Sequence, residues 1–164
     1  VGLMVMTPLH MHAGHADLKL IGFVISVHIV GMYAFSPFTG QAVDRWGSRR
    51  VAIAGAGVQA LSAILAASTP PGHSLQLTVS MFLLGVGWSG TFVAGSTLLT
   101  SAVPQPERPG VQGAADLTVG LAAAAAGALG GVIVDHFGFG TLALGALALP
   151  VAVIALAWLL VPRD

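Results

Sequence analysis

The sequence predicts an all-α membrane protein, a multi-pass bundle of transmembrane helices. Three observations carry that prediction. Only 7% of the 164 residues are Asp, Glu, Lys or Arg, whereas soluble domains carry about 25%. Hydrophobic residues make up 55% of the chain, and the mean hydropathy is +0.90. The charges are also clustered, and the gaps between clusters exceed the roughly 20 residues that a helix needs to cross a bilayer. Six basic and six acidic residues are too few to keep a globule of this size in solution. Each gap is one long apolar run, unlike the ~10-residue alternating strands of a membrane barrel, so the spans are helices. A formal net charge of zero leaves no basic stripe for a nucleic-acid partner. The absence of cysteine excludes a disulfide scaffold, thiol catalysis and thiolate metal sites.

The elements follow from the charge map. Residues 1–9 have the character of the end of a span, with no initiator Met and no basic signal-peptide region. The first span is therefore expected to be partial. Residues 20–43 carry no charge, which gives a span at about 20–39, followed by a loop at 40–50. Residues 51–106 carry none either, and the run Thr69-Pro70-Pro71-Gly72-His73-Ser74 is a loop signal. It divides that stretch into spans at about 51–68 and 77–101. A loop at 102–110 precedes spans at about 112–134 and 141–161, all within a single domain covering 1–164. Five complete spans put loops 40–50 and 102–110 and the C-terminus on one side. That side holds Arg45, Arg49, Arg50, Arg108 and Arg163, and the other only Lys19. The positive-inside rule makes the arginine side cytoplasmic and the protein a resident of a cell membrane.

Helices in lipid associate through close backbone approach and polar contacts. Two stripes of small residues fit that need: Gly87, Thr91 and Gly95 in one span, and Gly120, Ala124, Gly127 and Gly131 in the next. Pro37 and Pro150 each remove a backbone donor and favour a kink.

Ionisable groups within a membrane are expensive and mark transport or coupling sites by default. His28 falls mid-span, where it serves either proton coupling and substrate contact or, neutral, a hydrogen bond between helices. Asp116 lies one turn into its helix, suited to a proton-linked role, to complementing the helix dipole, or to pairing with Arg108. Gln59 and Trp88, with Ser89 and Thr91, are candidates for lining a central path. The run His10-Met11-His12-Ala13-Gly14-His15 has ligands that suit copper, but it lacks a fourth defined ligand and a carboxylate behind the imidazoles. Neither a metal nor another cofactor is expected.

The most specific local feature is Gly40-Gln-Ala-Val-Asp44-Arg45-Trp46-Gly47-Ser48-Arg49-Arg50. Its glycines permit tight turning, Asp44 and Arg45 offer an ion pair, and Arg49 and Arg50 open the next helix. It resembles the cytoplasmic loop of the major facilitator superfamily, G-x-x-x-D-R-x-G-x-R-R, with every specified position present. That family has twelve helices in two six-helix halves, with the loop after the second helix of each half. The resemblance implies that this chain is half of a major facilitator fold, with the missing half as partner. Two absences favour the C-terminal half: residues 77–101 lack the arginine of many fourth helices, and Gly127-Ala128 replaces the Gly-Pro of many fifth helices. By the resemblance the chain belongs to a secondary transporter working by alternating access, with proton coupling, a small-molecule substrate and a lipid bilayer as surroundings. Asp44 would then hold one state closed against a helix N-terminus of the other half. So few charges suit efflux of a small, partly apolar molecule.

Two alternatives remain at the level of sequence. Gly87-Trp88-Ser89-Gly90 matches the serine motif of rhomboid intramembrane proteases, which requires a histidine within hydrogen-bond reach of Ser89. A small membrane protein that completes its bundle by self-assembly is the other.

Overall fold

The computed structural model describes residues 1–70 and 72–161. Arg163 and the C-terminus, assigned above to the arginine side, lie outside the described residues, as does Pro71 of the 69–74 loop. Among the described residues there are helices and no strands. They are α1 (Gly2–Ala13), α2 (Leu18–Tyr33), α3 (Ser36–Trp46), α4 (Ser48–Ala67), α5 (Ser74–Ser101), a 3-10 turn (Gln105–Glu107), α6 (Arg108–Gly145) and α7 (Ala148–Leu160).

Four helical stretches are long and apolar enough to cross a membrane: 18–46, 48–67, 74–101 and 105–160. The last has 56 residues, about twice the length that spans a bilayer. It is broken at Gly138, whose φ of 82° and ψ of 165° lie where only glycine is at ease. Beyond that break the chain runs back along α4. Gly140 abuts the carbonyl of Ala67 at the end of α4, and Arg49 at the start of α4 binds the carbonyl of Ala157. Before the break α6 runs alongside α1 in the same direction, with Gly2 against Ala126 and Met6 against Gly130.

The helix ends depart from the expected loops. The 40–50 interval is not a loop: α3 continues to Trp46, α4 begins at Ser48, and Gly47 alone joins them. Nothing between Gln41 and Trp46 stops a helix, so only the left-handed glycine, at φ 81°, breaks it. The 102–110 interval likewise shrinks, because Pro109 sits in the first turn of α6, where its missing N–H is harmless. Pro37 has the same place in α3 and accounts for the break after Tyr33.

The packing centre is α5. Against α2, Gly31 and Gly85 bring the two backbones together. A methyl at Gly31 would meet Phe82 O at 2.7 Å, and one at Gly85 would strike His28 O and meet Met32 N at 2.9 Å. Against α4 the crossing is Gly55 on Gly87 and Gly90, with Gly55 O 2.7 Å from a methyl built on Gly87. Further along, the same pair is tied by a reciprocal bond: the Ser62 hydroxyl donates to Ser80 O at 2.7 Å, and Ser80 donates to Ser62 O at 2.8 Å. Apolar side chains fill the remainder. Leu3, Val24, Leu77, Met81 and Phe139 meet at the histidine-bearing end, and Val43, Val51, Ala52 and Ala94 at the arginine-bearing end.

The two small-residue stripes fare differently. Gly87 is a true crossing point, but Gly95 faces open space. In α6, Gly120, Gly127 and Gly131 also face open space, and α1 packs instead on the neighbouring Ala126 and Gly130. A stripe of small residues permits close approach without specifying that a helix of the same chain makes it.

The two classes of glycine predict opposite outcomes. Gly85→Val places methyl groups inside a neighbouring backbone and should destabilise the protein by about 1–3 kcal/mol or more. Gly127→Ala should change stability by less than about 1 kcal/mol, toward gain, because alanine is the better helix former. Thermal unfolding of the detergent-solubilised protein separates the two.

Candidate functional site

The turn between α3 and α4 carries the specific motif, and its charges are distributed unevenly. Arg49 is buried at 8% exposure. Its Nε donates to Ala157 O at 3.0 Å and its Nη2 to Trp158 O at 3.4 Å, and the guanidinium lies 4.6 Å from the centre of the Trp158 ring. A cation on the last carbonyls of α7 also suits the negative end of that helix. Arg49 therefore fastens the start of α4 to the end of α7. Asp44, Arg45 and Arg50 are exposed.

The expected Asp44–Arg45 ion pair does not form. The one ion pair among the described residues is His136 with Asp135 at 3.6 Å. Consecutive residues on a helix point about 100° apart, which carries the two side chains away from each other. Asp44 sits in the last turn of α3 and Arg50 in the first turn of α4. Each is the wrong sign for its helix end. Gly47 supplies the left-handed link, whereas Gly40 lies within α3, where a methyl built on it would meet open space.

Of the residues within the spans, His28 is buried at 4% exposure, and its Nδ1–H donates to Met81 O at 2.8 Å, clamping α2 to α5. Gln59 donates through Nε2 to the Thr91 hydroxyl at 3.1 Å, and Thr91 in turn donates to the carbonyl of Gly87 or Trp88. Trp88 lies flat on Phe92 with centroids 4.5 Å apart, and Tyr33 meets it edge-on at 6.1 Å. Asp116 is exposed and accepts from Gln112 Nε2 at 3.0 Å, and Gln112 Oε1 accepts from the Ser96 hydroxyl at 3.0 Å. The pairing of Asp116 with Arg108 does not occur, because the Arg108 guanidinium turns back to Val103 O.

Gln59 is thus tied to α5 at Thr91, one turn along from Trp88. His28 and Asp116 are not brought together: they engage α5 at Met81 and Ser96, roughly 22 Å apart at 1.5 Å per residue. The hydrogen-bond chain from Ser96 through Gln112, and the part played by Phe92, escaped the sequence reading. Their signal was the four-residue spacing of Trp88 with Phe92 and of Gln112 with Asp116.

Two other arrangements can be described. Ser89 is buried and shares a 3.2 Å hydrogen bond with Thr39, while His28 is committed two turns away to Met81. The protease alternative therefore lacks its serine–histidine pair. His10 stacks on Phe139 at 4.2 Å, so the run from His10 to His15 does not converge. Among the described residues, no three His, Cys, Asp or Glu side chains are grouped as a metal site requires.

The Arg49 tie yields a stability prediction. Arg49→Ala should cost about 1.5–3 kcal/mol, the range for hydrogen bonds to a charged group. Arg49→Lys should fall between, since lysine keeps the charge but loses the planar fork. The thermal midpoints of the three proteins should therefore rank Arg, Lys, Ala.

Comparison with known proteins agrees with the helical architecture and the motif. The chain is similar to the uncharacterized MFS-type transporter YddS of Bacillus subtilis, at 39% identity over 154 residues, which is 93% of this chain and 35% of that protein. A second relative, the uncharacterized MFS-type transporter YdeG of Bacillus subtilis, is 39% identical over 82% of this chain and 31% of its own. The riboflavin transporter RfnT of Brucella anthropi is 29% identical over 80% of this chain and 32% of its own. The chain thus spans about a third of the length of the curated relatives it matches. The family model of the Major Facilitator Superfamily matches residues 2–164, and this multi-pass membrane chain belongs to that superfamily.

Proposed function

We propose that this chain is the C-terminal six-helix half of a secondary transporter that works by alternating access. The missing N-terminal half is its partner, and the substrate is held between the two halves. The observation that carries the reading is the α3–α4 turn. Asp44 and Arg50 each stand at the unfavourable end of a helix, exposed and without an internal partner among the described residues. Charges placed against their own helix dipoles do not stabilise this half, so they serve a contact made outside it. Arg49 and Gly47 hold the turn rigid, and Asp44 engages a helix N-terminus of the other half in one state only. The arginine-bearing end, with the 40–50 and 102–110 segments and the C-terminus, faces the cytoplasm of a cell membrane, as the arginine bias supports.

Proton coupling is assigned to Asp116, with His28, buried between α2 and α5, as a second titratable group. The Asp116 carboxylate is exposed and held by Gln112, which supports that assignment. The substrate is a small, partly apolar molecule moved outward, which suits a chain with 7% charged residues. One relative, the riboflavin transporter RfnT, is named for a small organic solute, which supports a substrate of that kind.

The test uses the full-length transporter in proteoliposomes. Asp44→Asn should shift the ratio of inward- to outward-open states by about two- to fivefold and reduce transport at normal protein levels. In a full-length background freed of any other cysteines, labelling of single cysteines introduced into this cysteine-free chain reads that ratio. Asp116→Asn should remove the response of transport to an imposed pH gradient while leaving substrate exchange. Unchanged state ratio and transport in Asp44→Asn would refute the gating role.

A further inference from the structure

One face of the bundle is aromatic and polar at once. Trp88 lies on Phe92 at a 13° interplanar angle, and Tyr33 closes the pair edge-on at 65°. Phe92 and Tyr33 are exposed, Tyr33 at 61%. Beside the pair, Gln59 spends its amide N–H on Thr91, and its Oε1 has no partner among the described residues. Two turns further along α5, Ser96 starts the hydrogen-bond chain that ends on Asp116. A lipid-facing surface is apolar throughout, as α7 is at Leu149, Leu159 and Leu160. Polar groups at membrane depth face the interior of a bundle or a water-filled path. The support behind the rings is stiff, because α5 is clamped on α2 through Gly31 and Gly85 and on α4 through Gly55 and Gly87.

We infer that Tyr33, Trp88 and Phe92 form a stacking platform for the transported molecule. The substrate class it selects is a planar aromatic ring system with hydrogen-bond donors at its edge, received by Gln59 Oε1. This rests on the reading of the chain as half of a transporter. Stacking uses the π-face that every such ring has, so it tolerates neutral and cationic rings alike and rejects saturated molecules of similar size.

The experiment is equilibrium dialysis of the purified full-length transporter with three probes: lumiflavin, a neutral planar ring; ethidium, a planar cation; and tetrabutylammonium, a cation without a ring. Lumiflavin and ethidium should bind and compete with each other, and tetrabutylammonium, which ring faces attract through its charge but which cannot stack, should bind at least about tenfold more weakly than ethidium. Trp88→Leu should weaken both rings about tenfold, and Trp88→Phe by less than about threefold. Phe92→Leu, at a more exposed position, should show a similar loss and serves if Trp88→Leu does not fold. Equilibrium binding needs no transport cycle, so the outcome is separable from that of Asp44→Asn, which alters transport and keeps the ranking of probes. Binding of tetrabutylammonium as tight as that of ethidium, undiminished ring binding in both leucine variants, or no binding of either ring overturns the platform while leaving the transport reading standing.

Discussion

Burying one leucine against another gains almost nothing when the alternative is lipid, so a membrane bundle coheres only where backbones come close or polar groups meet. In this protein that constraint is met along α5. Gly85, Gly87 and Gly90 bring α2 and α4 to within a missing methyl group of its backbone. Ser80 and Met81 then receive the hydroxyl of Ser62 and the imidazole of His28. The polar side chains at these crossings bind to main-chain carbonyls, which stay partnered within their own helix and so accept an additional bond at little cost. The other elements take their positions from this spine. The break between α2 and α3 lets the chain follow α5 from Ile21 down to Thr39, where the hydroxyl meets Ser89.

A stiff spine leaves the adaptable chemistry at the margins. Asp44 and Arg50 stand exposed at one end, and the open glycines of α6 border Asp116. A superfamily built from two halves that rock about a central path needs this division, because rigid bodies can move against each other only through surfaces that are not already satisfied internally. The inner faces of α4 and α5 are saturated by contacts. The outer faces of α6 and of the α3–α4 turn are not.

Much of this architecture was legible in the order of residues. The all-helical, membrane-spanning character follows from the length of the uncharged apolar runs set against bilayer thickness, which is a one-dimensional property. Gly40 and Gly47 were both readable as turning points, and only Gly47 breaks the helix. The extent of the 40–50 segment was not readable, since a run of polar residues without a breaker is equally compatible with a loop and with a helix that projects beyond the membrane. The small-residue stripe of α6 misled for a similar reason: Gly127 and Gly131 show that a helix is allowed near, whereas the observed contact uses Ala126 and Gly130. At the candidate site, His28 and Asp116 were visible as costly residues within spans. Their partners were not, because Met81 contributes a carbonyl that every residue has, and Ser96 with Gln112 becomes a chain only when α5 and α6 are side by side.

The bond from Arg49 to Ala157 joins residues 108 positions apart, and that separation bears on how the protein is made. Arg49 enters the membrane region near the start of α4, long before α7 has been synthesised. Until α7 arrives, its guanidinium has no carbonyl to bind and must remain at the hydrated interface, holding the end of α4 near the headgroups. Its burial against Trp158 therefore follows the arrival of α7 rather than preceding it. The residue acts as a latch between distant parts of the chain, drawn in when α7 docks on α4.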